Sequence, residues 1–220
     1  CSSLLTMINN TDTYPYNTDG LIFTSKDLGV GKESPEDSVK NRKYTWNHSF
    51  KWKPPHFNTI DFLIEVQKDN LKNPIEKIKN INGNIHRFYE IHLYIGFDEQ
   101  QHGYFNSQQL LLQQKYIKKN YETYVRYKAE KFYPTEPYDS TAHICYIPID
   151  FNSVMYTQEH DIIQDNMIVE FSYDLNEEDK LLAWKPLRVR YDKMSEENNL
   201  GNAYHVANIT WQSIHDPITE

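Results

Sequence analysis

His86-Arg87-Phe88-Tyr89-Glu90-Ile91-His92-Leu93-Tyr94-Ile95-Gly96-Phe97 alternates along its length. Successive side chains of an extended chain point to opposite faces. Phe88, Glu90, His92 and Tyr94 therefore share one face, and Tyr89, Ile91, Leu93 and Ile95 the other. That period predicts a strand. Downstream, residues 141–149, 167–173 and 181–190 read as three more strands. Residues 107–131 are rich in Leu, Gln, Lys and Glu and read as a helical insertion. Several short strands with a helix among them suit a small barrel of the OB type. Upstream, the charged residues 69–84, with Pro74, read as a connector and domain boundary. Residues 49–66 read as extended chain broken at Pro54-Pro55, where helix is disfavoured. Leu21-Ile22-Phe23 reads as a short buried strand after the turn residues Asn17-Thr18-Asp19-Gly20.

The 220 residues suffice for one large or two small cores. Seventeen Tyr and ten Phe against seven Gly favour strands over flexible linkers. A net charge of -8 excludes a surface that attracts nucleic acid everywhere, though a local basic cleft stays open. Cys1 and Cys145 are too few for a disulfide scaffold or a four-ligand zinc site, which points to a reducing compartment. The nine histidines form neither His-x-x-x-His nor His-Glu-x-x-His and read as ordinary surface or core residues. No run of eighteen apolar residues suggests a membrane span, and no leader is evident. Beginning at Cys1, the sequence reads as a piece of something longer.

Three clusters carry chemistry. Thr18-Asp19-Gly20-Leu21-Ile22-Phe23 places a carboxylate at a strand mouth, where it could hold a divalent metal or a sugar hydroxyl; alone, Asp-Gly there is an ordinary turn. In Phe50-Lys51-Trp52-Lys53-Pro54, Lys51 and Lys53 share one face. Two ammonium groups so placed suit a phosphate, or else mark a solvated edge strand; flanking Phe50 and Trp52 favour partial burial. In Trp184-Lys185-Pro186-Leu187-Arg188-Val189-Arg190-Tyr191-Asp192-Lys193, alternation puts Arg188, Arg190 and Asp192 on one face and Val189 and Tyr191 on the other. This could clamp a polyphosphate or be an ion-paired exposed strand.

Taken together and in this order, the clusters resemble motifs IV, V and VI of the covalent nucleotidyltransferases, specifically the GTP:RNA guanylyltransferases of mRNA capping. Lys51-Trp52-Lys53-Pro54 followed by Thr59-Ile60-Asp61-Phe62 is the most specific string. Gly201-Asn202-Ala203-Tyr204 and Trp211-Gln212-Ser213-Ile214 are similar to the segment joining guanylyltransferase to methyltransferase in capping enzymes of large cytoplasmic DNA viruses. The resemblance implies an α+β chain. Residues 1–68 would be the C-terminal portion of a nucleotidyltransferase domain with an antiparallel sheet, residues 69–200 an OB-fold β-barrel with a helical insertion, and residues 201–220 a linker. It implies GTP as substrate, Mg2+ or Mn2+ at Asp19, and the 5′ end of RNA as acceptor. Lys51 and Lys53 would bind the α-phosphate, and Arg190, Asp192 and Lys193 would grip the β- and γ-phosphates, with Arg188 as a secondary candidate. Triphosphatase and methyltransferase modules would share the polypeptide, without membrane contact, in the cytoplasm, the virion or a viral factory.

The family's nucleophile lies in Lys-x-Asp-Gly, and these 220 residues contain no such string. The chain alone is therefore expected to form no GMP adduct. Two alternatives stay open. An ATP-dependent polynucleotide ligase shares the paired lysines, but usually has Glu before the motif IV Gly. A non-catalytic OB-type nucleic-acid-binding module needs only aromatic stacking and a basic groove.

Overall fold

The computed structural model describes residues 20–32, 34–36, 46, 48–98, 127–196 and 199–217. The chain divides into two compact units, Cys1–Phe57 and Asn58–Glu220. The second therefore begins upstream of the boundary expected after residue 68. The reason lies in pairing: residues 59–66 form the middle of its main sheet.

In the first unit, β1 (Leu21–Thr24) pairs antiparallel with β2 (Ser49–Trp52), Leu21 opposite Trp52 and Ile22 opposite Lys51. The expected burial here does not hold, since Ile22 and Phe50 are 65% and 68% exposed. A two-stranded ribbon has no second layer of its own to cover both faces.

The second unit is mostly β-sheet with few helices. Its main sheet contains β3 (Thr59–Val66), β4 (Glu76–Ile81), β5 (Asn84–Asp98), β6 (Tyr127–Lys131), β7 (Ile144–Pro148), β10 (Ile168–Tyr173) and β11 (Trp184–Val189). A small ribbon, β8 (Met155–Tyr156) with β9 (Ile162–Ile163), lies outside it. The alternating stretch first quoted is the hub. β4 and then β3 pair along one edge of β5, while β7 and then β6 pair along the other. β10 continues from β3, and β11 from β10. From Ile91 onward β5 is buried on both faces apart from Tyr94, as expected of a strand at the centre of a curled sheet.

Three expectations change. The supposed connector at residues 69–84 contains β4, which forms a hairpin with β5 through Asn82-Gly83. Both residues there have positive φ, the backbone that such a turn requires. Of the expected helical insertion, residues 107–126 lie outside the described residues, and its last five form β6. Tyr127-Lys128-Ala129-Glu130-Lys131 has helix-favouring residues, yet the open edge of β5 overrides that weak preference. Within the expected linker, residues 204–215 form a helix that packs on the core. Helix α1 (Tyr191–Met194) is a single turn, and α2 (Tyr204–His215) buries Ala207, Trp211 and Ile214 on one face.

The core gathers Ile60, Phe62 and Ile64 from β3, Ile91, Leu93 and Ile95 from β5, and Phe171, Trp184 and Trp211. Each such side chain contributes about 1.5–3 kcal/mol on burial. Cys145 is fully buried and packs as a small apolar group, its thiol pushed up by burial.

One buried pair makes stability sensitive to acid. His92 of β5 and His143, just before β7, have ring centroids 5.3 Å apart, and Tyr133 covers His143 at 4.6 Å. The Nδ1 atoms of both are buried without a hydrogen-bond partner. Burial first, then Lys131 and His92, lower His143 to about 4 from 6.5. Below pH 6.5 the unfolded chain takes up a proton that folded His143 refuses until about pH 4. Stability is therefore complete above pH 6.5 and declines between these limits, by about 1.4 kcal/mol per pH unit at most. Urea unfolding at pH 7 and pH 5 should show this loss, and His143→Phe should remove most of it; an unchanged slope in that variant would contradict the assignment.

Candidate functional site

Of the expected site residues, Lys51 and Lys53 belong to the first unit and Arg188, Arg190, Asp192 and Lys193 to the second. Asp19 lies outside the described residues. Within the first unit, Lys51 and Lys53 are both exposed, and β2 ends between them at Trp52. Gly20, which is bonded to Asp19, packs on this segment. A Cβ added there would stand 2.2 Å from the Trp52 carbonyl oxygen and 3.1 Å from the Lys53 Cα. Gly20 thus allows its backbone to touch the lysine strand. Among the described residues no group of three or more His, Cys, Asp or Glu is arranged to hold a metal ion.

The second unit builds its site from the solvent side of β3. Alternation sends Ile60, Phe62 and Ile64 into the core and turns Thr59 and Asp61 to the other face. Register then sets Asp61 opposite Glu170 of β10, and Glu170 opposite Arg188 of β11, giving a row across three strands. Glu170 accepts from the Thr59 hydroxyl at 2.6 Å and from Arg188 Nε at 2.6 Å. Burial alone would raise the Glu170 carboxyl, but Thr59, Arg188 and Arg190 outweigh it and hold the group below the usual range.

β11 stops at Val189, so the alternation expected through Asp192 does not continue. The chain turns into α1 instead, which leaves Tyr191 56% exposed rather than packed beside Val189. That turn brings Arg190 and Lys193 back over β3. Arg190 Nη1 donates to Asp61 Oδ2 at 2.8 Å, and Lys193 Nζ donates to the same oxygen at 2.6 Å. Arg190 also grips Asp192 through two hydrogen bonds, Nε to Oδ1 at 3.0 Å and Nη2 to Oδ2 at 2.8 Å. This fork strongly lowers the Asp192 carboxyl and raises the Arg190 guanidinium. Arg190 and Lys193 side chains are only 19% and 23% exposed, whereas Asp192 is 66% exposed.

The residue that sequence reasoning missed is Asp61. It belongs to the quoted Thr59-Ile60-Asp61-Phe62 string but received no role. It is 5% exposed, and its Oδ1 is buried without a hydrogen-bond partner. Its backbone is clamped as well: Asn202 Oδ1 accepts from Asp61 N–H, and Asn202 N–H donates to the Asp61 carbonyl, both at 2.8 Å. Gly201 makes this approach possible. It has φ of 82°, and an added Cβ would lie 2.4 Å from the Asp61 carbonyl oxygen. A signal was available, since an acidic residue between Ile60 and Phe62 on a strand otherwise directed at the core must find cations.

Chemically, the arrangement is a pre-oriented cation pair. A guanidinium and an ammonium share one buried carboxylate oxygen while a third cation, Arg188, stands beside them on Glu170. Such a set suits a polyanion that can displace or supplement the carboxylates.

A family profile described as "mRNA capping enzyme, C-terminal domain" matches residues 57–220. The chain is also 28% identical over 230 aligned residues to the "Probable mRNA-capping enzyme" of Acanthamoeba polyphaga mimivirus. That alignment covers 94% of this chain and 16% of the viral protein, so the chain spans about a sixth of the length of this curated relative.

Proposed function

Because the chain belongs to the mRNA capping enzyme C-terminal domain family, we propose that it supplies the phosphate-gripping part of a GTP:RNA guanylyltransferase. The observation that carries this reading is the sharing of Asp61 by Arg190 and Lys193. It turns the Arg-x-Asp-Lys end of the third motif into a fixed pair of cations on an OB-like β body. In the proposed reaction a lysine amine of a Lys-x-Asp-Gly segment attacks the α-phosphorus of GTP. The bond to the β-phosphate oxygen breaks, pyrophosphate leaves, and a lysine-GMP phosphoramide remains. The terminal oxygen of a 5′-diphosphate RNA then displaces the lysine, forming the cap linkage.

In this scheme Arg190 and Lys193 neutralise the departing pyrophosphate, with Arg188 as a further contact. Lys51 and Lys53 stabilise charge on the α-phosphate, as positioning and charge neutralisation dominate phosphoryl chemistry. Asp192 orients the Arg190 fork. Asp19 is the residue that would hold Mg2+ or Mn2+, whose charge would further neutralise the phosphates. Gly20, the next residue, keeps its own backbone against Lys53.

The test uses a polypeptide in which a segment bearing Lys-x-Asp-Gly precedes this chain. Incubated with α-labelled GTP and magnesium or manganese, it should acquire a covalent label. Lys51→Ala or Arg190→Ala should reduce labelling at least a hundredfold, in keeping with the loss of one preorganised electrostatic contact (roughly 10²–10³). The 220-residue chain alone should remain unlabelled. Labelling of the chain alone, or full labelling of both variants, would overturn the reading.

A further inference from the structure

Away from the cation pair, the second unit carries a groove of about 360 Å³ that the proposed GTP chemistry does not use. One wall is the inner face of the β4–β5 hairpin continued onto β7, where His86, Phe88 and Tyr146 stand in a row. Successive ring centroids are 6.4 Å apart, with interplanar tilts of 43° and 36°. Tyr156, Gln158 and Lys185, from the β8 and β11 segments, also line the groove. His86 is exposed and Tyr156 is 40% exposed, so the row opens to solvent at both rims, while Phe88 is the buried floor at 4%.

Two ammonium groups border these rings. Lys79 lies over the Tyr146 ring, 4.8 Å from its centroid, and is paired with Asp179. Lys185 is paired with Glu177 at 2.9 Å. Flat rings for stacking, an amide for a base edge and cations at the rim match the chemistry of a nucleotide. The pairing of each lysine with a carboxylate keeps the groove near neutral until a phosphate arrives. An apolar peptide would use the rings but neither the amide nor the cations.

We propose that this groove binds one nucleotide of single-stranded RNA, stacking its base on the His86–Tyr146 wall and placing its phosphate toward Lys79 and Lys185. The assignment rests on the capping reading for the source of the strand, and it extends that reading by adding a contact with the RNA body. Base stacking on an aromatic side chain tolerates any sequence, as an enzyme acting on many transcripts requires.

The 220-residue chain and a 3′-fluorescent decaribonucleotide, followed by anisotropy, provide the test. His86→Ala with Tyr156→Ala, both at exposed positions, should weaken binding roughly 5- to 150-fold for one stacked base. Tyr146→Phe should bind like the parent. Lys185→Ala should reduce the slope of log affinity against log salt by about 0.7. Ile78→Ser, on the outer face of the same hairpin and 69% exposed, serves as the control and should change nothing. Thermal melts of every variant separate lost contact from lost fold. RNA affinity within twofold of the parent in a folded double variant overturns the proposal and leaves the groove to a protein partner; an equal loss in Ile78→Ser overturns it too. Because the assay contains no GTP, the two readings fail independently. Normal GMP labelling with groove-independent RNA binding removes only the groove, and groove-dependent binding without labelling removes only the guanylyltransferase.

Discussion

Asp61→Ala is expected to destabilise the second unit by about 3–5 kcal/mol, the range for removing one partner of a buried ion pair. The reason is asymmetry. The carboxylate is buried, and Arg190 and Lys193 both spend a hydrogen bond on the same oxygen. Without it, two largely buried cations face each other, with Asp192 and Glu170 beside Arg190 to compensate in part. At roughly 2–4 °C per kcal/mol for a body of this size, the midpoint should fall by about 6–20 °C. Asp61→Asn keeps the shape and leaves the Asn202 backbone clamp possible, so its loss should be smaller. In the GMP-labelling assay, however, both variants should lose activity together, since Asp61 acts by positioning Arg190 and Lys193. Midpoints and labelling rates measured on both variants check this. A midpoint within 2 °C of the parent for Asp61→Ala, or full labelling by a folded Asp61→Asn, would show that the cations are held by something else.

The same residue shows what was legible in the sequence. The segments read as strands at residues 86–97, 141–149, 167–173 and 181–190 contain β5, β7, β10 and β11, with alternation the signal for β5 and β11. Motif order singled out Lys51, Lys53, Arg190, Asp192 and Lys193, and of these the fold joins Arg190 to Asp192 and brings Arg190 and Lys193 onto Asp61. That Asp61 needs cations could be read from its place between Ile60 and Phe62, but which cations it meets could not, because Asp61 and Arg190 are 129 residues apart and meet only through the register of β3, β10 and β11. β4 was hidden by its composition: Glu76-Lys77-Ile78-Lys79-Asn80-Ile81 looks like a solvated connector, yet Lys77 is held by Glu90 across the hairpin and Lys79 by Asp179 from the segment before β11. β6 was hidden for the opposite reason, since its residues favour helix in isolation and only the free edge of β5 makes them extended. The turn at Arg190 could not be read from alternation, which says nothing about where a strand stops.

Trp184→Ala is expected to have an effect of similar size by a different route, and it tests whether the core supports the site. Trp184 opens the strand that carries Arg188 and leads into Arg190. It is 1% exposed, and its ring meets Tyr173 at 4.8 Å, Phe62 at 5.0 Å and Trp211 at 5.7 Å between centroids. Its indole N–H donates to the Ala142 carbonyl at 2.9 Å, tying β11 to the turn before β7. Truncation removes the ring contacts and leaves a cavity, for about 3–5 kcal/mol. Trp184→Phe keeps most of the packing but orphans the carbonyl, for about 1–3 kcal/mol. Urea unfolding should rank parent, Phe and Ala in that order. The further question is whether a folded Trp184→Phe still positions Arg190, whose side chain is anchored to Asp61 on β3 while its backbone N–H donates to the Ile168 carbonyl of β10. If anchoring to Asp61 dominates, labelling by Trp184→Phe should stay within about threefold of the parent while that of Asp61→Asn collapses. The reverse ranking would move the control of the cation pair from the carboxylate to the packing of β11.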